Sequence, residues 1–368
     1  MRQKQEKPVI VCPLNWGLGH AARDIPIIRL LKDAGHRVIV ATDPKIEKFL
    51  SQEFPDLEFE YFPGPKINYT KYGWLLIPKL LFQIPTWIKW YFAELKMIAE
   101  LVKKHHPKCI ISDNRYGARH RRVKSIIITH QLMLKMPNWG RFMEYPVHRF
   151  IKFMVEKFDE CWIPDNPSES SLSGDLAFKY PLPKTTKFTG ALSDFMFQDD
   201  ELNQSNLKTD ILVMLSGPEP QKTMLEMRLY PLLKSLNMKI AILRGEPELT
   251  SHSDDDTLKS DSLIQRINHL PRKEIKQLIK ETPYIIARAG YTSIMDLWFV
   301  NKSALLIPTP GQTEQVYLSE FNRSRHFVVK QNAIDAKNIK KYLNSINNND
   351  QHLFNRNNYL EFVLQSIF

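Results

Sequence analysis

The hydrophobic positions of the chain fall into two alternating kinds of segment. Short apolar, often β-branched runs recur at Val9 to Cys12, Arg37 to Thr42, Leu57 to Phe62, Cys109 to Ser112, Ser125 to Thr129 and Cys161 to Ile163. Longer stretches with helical spacing lie between them. Ile25, Ile28 and Leu31 share one face of a helix predicted over Ala21 to Ala34, and Gly35 stands where such a helix ends. Brief continuous apolar runs suit strands covered on both faces, and their alternation with helices predicts a parallel sheet. The pattern lapses between Gln198 and Asn206, which are polar and acidic, and then restarts. Ile211 to Leu215, Lys239 to Leu243, Tyr284 to Ala287 and Ala304 to Ile307 read as strands. Helices are predicted from Gln221, over Arg272 to Lys280, after Gly290 and from Thr313. His252 to Asp261 reads as a solvated loop and Leu353 to Phe368 as a terminal helix.

The pattern therefore predicts an α/β chain of two Rossmann-like, doubly wound domains facing a central cleft. The first spans 1–197, a linker 198–208, the second 209–345, and 346–368 is a C-terminal helix placed to pack back on the first. A length of 368 residues suits two domains, and 43% apolar residues exclude wholesale disorder. The three cysteines, Cys12, Cys109 and Cys161, have neither disulfide-framework nor zinc spacing. They read as free thiols of a reducing compartment, so a cytoplasmic location is expected. Met1 to Lys7 is polar and lacks a signal-peptide core. No uncharged apolar run reaches the roughly 18 residues that span a bilayer.

Charge changes this picture locally. The net charge is +11, but between Lys66 and Arg149 sixteen lysines and arginines stand against four acids, leaving the rest near neutral. The same segment holds Trp74, Trp87, Trp90 and Trp139. Pro78 and Pro85 break its start, and an amphipathic helix is predicted over Thr86 to Lys104. This composition fits an anionic membrane interface or a lipid-linked acceptor, and equally a buried helical excursion with a solvated lysine face. A nucleic acid would call for the same charge, but no RNA-binding motif accompanies it, so nucleic acid is set aside.

Glycine is scarce, 13 in 368 residues, so each placement carries weight. Gly17 and Gly19 sit between the first strand and first helix, where a backbone can approach an anion. The full dinucleotide fingerprint fails at Ala22. His20 follows in the first helical turn, where the helix dipole disfavours its cation and leaves an imidazole able to accept a proton. A plain capping role is the alternative. Asp113, after the fourth strand, reads as a second acid–base candidate or as the ion-pair partner of Arg115. His130, at the end of SIIITH, reads as an acceptor-site candidate. In the second half, Ser216 and Gly217 form a strand-to-helix loop, with Ser216 placed to cap the helix or meet a phosphate. Arg288 ends a strand, Gly290 permits the turn, and Thr292 and Ser293 can cap or bind phosphate. Asp296 lies further into that helix, where a carboxylate can accept ribose hydroxyls. The Pro-Gly loop before Thr313 presents Glu314 and Gln315. No metal-ligand spacing is found.

Two stretches, NWGLGHAARDIPIIRLLKDAGHRVIVAT and ARAGYTSIMDLWFVNKSALLIPTPGQTEQVYLSEF, carry a resemblance. They resemble the glycine loop and donor-binding motif of GT-B glycosyltransferases of family 28, the MurG-like and galactolipid-synthase-like enzymes. The resemblance covers both domains in order. It implies metal-independent transfer of a sugar from a nucleotide-sugar, usually a UDP-sugar, which is a substrate and not a cofactor. It implies a lipid-linked or cell-envelope glycan acceptor and a peripheral position on the inner face of the plasma membrane. It implies donor contacts from Arg288, Gly290, Thr292, Asp296, Glu314 and Gln315, with Asp296 standing where relatives usually have Glu. His20 matches the histidine near the acceptor hydroxyl, with Asp113 in reserve. Ser216 and Gly217 stand where relatives carry a glycine-rich loop, and the adjoining prolines depart from it. A nucleotide-sugar 2-epimerase and a non-catalytic GT-B subunit remain alternatives.

Overall fold

In a computed structural model the described residues are 7–65, 82–167, 170–197, 207–246, 262–345 and 360–367. Trp74, Pro78, most of the expected linker, the 252–261 loop and 353–359 lie outside them. The chain divides into two units, the first ending at Asp194 and regaining the C-terminal segment, the second beginning at Phe195.

The first unit is built on a seven-stranded sheet of order β3-β2-β1-β4-β5-β6-β7, all parallel. Its strands are Val9–Cys12 (β1), Val38–Thr42 (β2), Glu58–Tyr61 (β3), Cys109–Asp113 (β4), Lys124–Ile128 (β5), Glu160–Ile163 (β6) and Thr186–Phe188 (β7). β1, β2 and β4 are buried at every position, as their unbroken apolar runs require. The helices are Leu18–Asp33 (α1), Pro44–Glu53 (α2), Ile84–His105 (α3), Glu144–Val155 (α4) and the single turn Asp175–Phe178 (α5). Asp43 caps α2 by accepting from the Lys45 and Ile46 amides. Gly35 follows α1 at φ 81, the left-handed stop expected of it.

The second unit has a six-stranded parallel sheet of order β10-β9-β8-β11-β12-β13. These are Ile211–Met214 (β8), Ile240–Leu243 (β9), Ile264–Ile267 (β10), Tyr284–Ala287 (β11), Leu305–Leu306 (β12) and Phe327–Val328 (β13). Gln221–Lys234 (α6), Arg272–Glu281 (α7), Tyr291–Phe299 (α8), Thr313–Phe321 (α9) and Ala336–Ser345 (α10) accompany them. Buried Tyr342 on α10 donates to the Ile285 carbonyl of β11 and accepts from its amide, tying helix to sheet. The last helix, Leu360–Leu364 (α11), packs on α1 and β7 of the first unit, burying Leu360, Val363 and Leu364.

β7, β10 and β13 are not expected from the hydrophobic pattern. All three are sheet edges with partly exposed positions, so they lack the continuous apolar run of a central strand. No helix among the described residues is long and apolar enough to cross a membrane.

One buried ion pair holds α3 to the sheet. Arg115 donates to Glu94 Oε1 at 3.0 Å and to the carbonyls of Phe62 (2.8 Å) and Pro63 (2.6 Å). Its guanidinium also lies 3.9 Å from the Phe62 ring centroid. Glu94 Oε2 takes the Gly117 amide at 3.1 Å. Arg115 is therefore the partner of Glu94, not of Asp113. Removing one member of such a pair strands a buried charge. Glu94→Ala is expected to cost about 3–5 kcal/mol of unfolding free energy, read by urea denaturation.

Candidate active site

Each sheet has one place where the chain winds away in opposite directions, and ligands of open α/β sheets gather there. In the first unit this switch point falls between β1 and β4, in the second between β8 and β11. The residues singled out in the sequence cluster at these two points.

In the first unit, Gly17 caps α1 at φ 133 and ψ 173, a conformation open only to glycine. No side chain caps this helix and no acid lies in its first turn. His20 is the third residue of α1, and its Nδ1 lies 2.9 Å from Asp113 Oδ2 at the end of β4. Asp113 is fully buried and held by Arg23, one helical turn beyond His20, through Nε to Oδ2 at 2.8 Å and Nη2 to Oδ1. Burial alone would raise the Asp113 carboxyl, but the Arg23 charge and then His20 outweigh it and hold it below the usual range. Arg23 Nη1 reaches His130 Nδ1, just past β5, at 3.2 Å. His20 Nε2 makes no hydrogen bond among the described residues. Four side chains from α1, β4 and the β5 loop thus form one chain of contacts.

Arg23 is the member that the hydrophobic pattern and motifs do not single out. Residues 21–28 of α1 are all buried, so Arg23 and Asp24 are charges inside an apolar stretch, and that placement is the signal.

In the second unit, the loops after β8, β11 and β12 meet. Gly217, at φ 99, has its missing Cβ position 3.7 Å from Thr309 Oγ1. Arg288, at the end of β11, is 1% exposed. It donates to the carbonyls of Gln221 (2.7 Å), Ile307 (3.2 Å) and Pro308 (3.4 Å). No carboxylate pairs with it among the described residues, and burial lowers its pKa to about 10, still a cation at neutral pH. Gln315, in the first turn of α9, accepts the Thr309 amide at 2.9 Å, and Glu314 sits beside it.

Several expectations change. Ser216 is exposed and does not cap α6, which begins at Gln221 with Pro220 in the cap position. Gly290 caps α8 at φ −73, so the turn does not require a glycine. An added Cβ there would meet only Ser293 Oγ at 3.9 Å, which leaves open space at the helix start. No side chain caps α8, so Thr292 and Ser293 are first-turn residues and not caps. Asp296 is engaged by a fork: Arg272 Nη1 to Oδ2 at 3.0 Å and Nη2 to Oδ1 at 2.9 Å, both residues buried. Arg272 also lies 4.5 Å from the Phe195 ring centroid, and Lys276 donates to the Phe197 carbonyl, fastening the start of the second unit to α7.

Residues 231–365 match the glycosyltransferase family 28 C-terminal domain. Over 349 residues the chain is 22% identical to a UDP-N-acetylglucosamine--N-acetylmuramyl-(pentapeptide) pyrophosphoryl-undecaprenol N-acetylglucosamine transferase of Wolbachia sp. subsp. Drosophila simulans (strain wRi), covering 93% of this chain and 91% of that one. Among solved structures, the glycotransferase of kitacinnamycin superimposes with a TM-score of 0.63 at 13% identity, covering 99% and 94% of the two chains. Acinetobacter baumannii MurG does so with a TM-score of 0.50 at 12% identity, covering 98% and 99%. The two parallel-sheet units and these likenesses define a GT-B glycosyltransferase. Residues 231–365 carry the family 28 C-terminal domain, and the chain as a whole is similar to the N-acetylglucosamine transferase of Wolbachia.

Asp24 gives a pH dependence. Neither of its carboxyl oxygens has a hydrogen-bond partner among the described residues. Burial first, and the Asp113 charge second, raise it well above the usual range against the pull of Arg23. The folded chain therefore keeps a proton that the unfolded chain releases. Stability contributed at low pH is lost as pH rises from the ordinary aspartate range toward the raised folded value. Asp24→Asn has no such proton. Its unfolding free energy is expected to decline less than wild type between pH 5 and pH 8, measured by urea titration at both; parallel curves would refute this.

Proposed function

We propose that the chain transfers a hexosyl or N-acetylhexosaminyl group from a UDP-sugar to a lipid-linked or cell-envelope glycan acceptor. The reaction proceeds without a metal, at the inner face of the plasma membrane. The observation that carries the reading is the His20–Asp113 pair at the β1/β4 switch point. Glycosyl transfer needs the acceptor hydroxyl deprotonated as it attacks the anomeric carbon. A histidine whose Nδ1–H is held by a buried, ionised aspartate offers Nε2 as that base.

The leaving diphosphate needs positive potential. The uncapped N-terminus of α8 and the cation of Arg288, which no described carboxylate neutralises, are suited to supply it. Gly290 and Thr292 would lie beside the phosphates, with Ser216 and Gly217 flanking them. Glu314 and Gln315 would meet the donor sugar. Asp296 would meet the ribose only through lone pairs that Arg272 leaves over. The curated relative is a UDP-N-acetylglucosamine enzyme with an undecaprenol-linked acceptor, which supports this donor and acceptor class.

A membrane surface is supported by side chains of the first unit. Ile84, Ile88 and Phe92 stand exposed on α3, and Trp139, Phe142, Phe150 and Phe153 on and before α4. Lys157 lies 4.4 Å from the Phe153 ring centroid and 5.9 Å from that of Tyr91, which brings the two faces together. Exposed Lys89, Lys96, Arg141 and Arg149 surround them. Aromatic rings ringed by cations suit an anionic lipid interface.

Two experiments test these readings. Purified protein is assayed with a panel of UDP-sugars and a lipid extract, with and without EDTA. Transfer insensitive to EDTA is expected, and His20→Ala should lower kcat on the order of 10²-fold with UDP affinity unchanged. Free UDP and an epimerised sugar formed without acceptor would replace transfer by 2-epimerisation. In co-sedimentation, binding to phosphatidylglycerol vesicles should exceed binding to phosphatidylcholine vesicles and fall with salt, and Phe142→Glu with Phe150→Glu should abolish it. Equal, salt-insensitive binding to both would sink the electrostatic part.

A further inference from the structure

We propose that Arg23 is a positioning residue that locks the two histidines of the first unit in opposite tautomers, leaving a single base at the site. The catalytic consequence rests on the glycosyl-transfer reading; the tautomer assignment does not.

The argument starts from what each group can do. A guanidinium only donates and stays charged inside a protein. Arg23 Nη1 is 3.2 Å from His130 Nδ1, so that nitrogen accepts. His130 is then neutral and carries its proton on Nε2. The same guanidinium spends Nε and Nη2 on the two oxygens of Asp113. Fully buried Asp113 stays a carboxylate in this fork and can only accept. His20 Nδ1, 2.9 Å from Oδ2, must therefore donate, so the neutral ring carries its lone pair on Nε2. One side chain thereby dictates both rings: His20 presents a lone pair and His130 an N–H.

The arrangement has a use. Asp113 ends β4 and His130 lies just past the end of neighbouring β5, two strands whose backbones run about 4.8 Å apart. A polyhydroxyl acceptor meets one proton acceptor there. With His130 in the other tautomer, a second imidazole lone pair would compete for the hydroxyl proton. Lysine cannot substitute for Arg23, because a point charge does not fork to a carboxylate and a ring nitrogen together. Asp24, next along α1 and within reach of the Asp113 charge, is pushed toward its neutral form by burial.

The test reads tautomers directly. Wild-type protein labelled with ¹⁵N in histidine is examined at neutral pH by two-bond proton–nitrogen correlation, with His20→Gln and His130→Gln assigning the signals. The expected result is Nδ1–H for His20 and Nε2–H for His130. A doubly protonated His130, or one with its proton on Nδ1, overturns the proposal, and the tautomers themselves are read on the wild-type fold. In turnover, Arg23→Ala should lose kcat by about 10²-fold with UDP affinity unchanged, and added guanidinium should restore at least tenfold of it. A folded Arg23→Ala that guanidinium does not restore overturns the positioning role. Arg23→Lys keeps the charge, loses the fork, and should be as slow; wild-type kcat in that variant also overturns it. If the wild type transfers no sugar at all, the glycosyl-transfer reading falls while the tautomer measurement still judges the assignment.

Discussion

A carboxylate with no access to water organises the first unit. Asp113 ends β4 inside the protein, where an unpaired negative charge would cost several kcal/mol. Arg23 offsets that cost only by being buried as well, and His20 only by turning one ring nitrogen inward. The constraint runs outward from there. α1 must deliver His20 and Arg23 to the same carboxylate, so the strand-to-helix turn is tight, and Gly17 is what its backbone conformation requires.

The second unit meets a similar demand differently. Arg288 is a buried cation that finds carbonyls and no carboxylate among the described residues. Three loops converge on it, so it fixes their relative positions while keeping its charge uncompensated. Arg272 does the opposite, spending its charge on Asp296 and securing α7 to α8. One arginine of this unit is held by carbonyls alone among the described residues and the other is paired to a carboxylate. Both sit beside a helix start, and only their partners distinguish them.

Much of this architecture is legible in the sequence. Central strands announce themselves by continuous apolar runs, and the glycine-bearing loops follow directly from them. β7, β10 and β13 do not, because an edge strand shares its exposure with the loops around it. The second unit begins at Phe195, and the polar stretch Gln198 to Asn206 lies outside the described residues. At the sites, His20 and Asp113 each stand out singly, but their pairing joins residues 93 apart in the chain. Proximity in sequence makes Arg115 a natural partner for Asp113. The left-handed Asn114 between them, at φ 57, accompanies the turn that sends Arg115 to Glu94 instead. Ser216 has a cap's place after its strand, yet the helix starts five residues later.

The three cysteines lie on β1, β4 and β6, all in the first unit, and burial raises each thiol to about 12. The second unit has none. Sulfur in this chain is therefore a clock attached to one half of the molecule. An alkylating reagent in native buffer modifies only molecules whose first sheet has opened, and it is blind to opening of the other half. The rate of that modification isolates the breathing of one unit in a protein whose spectroscopic signals combine both.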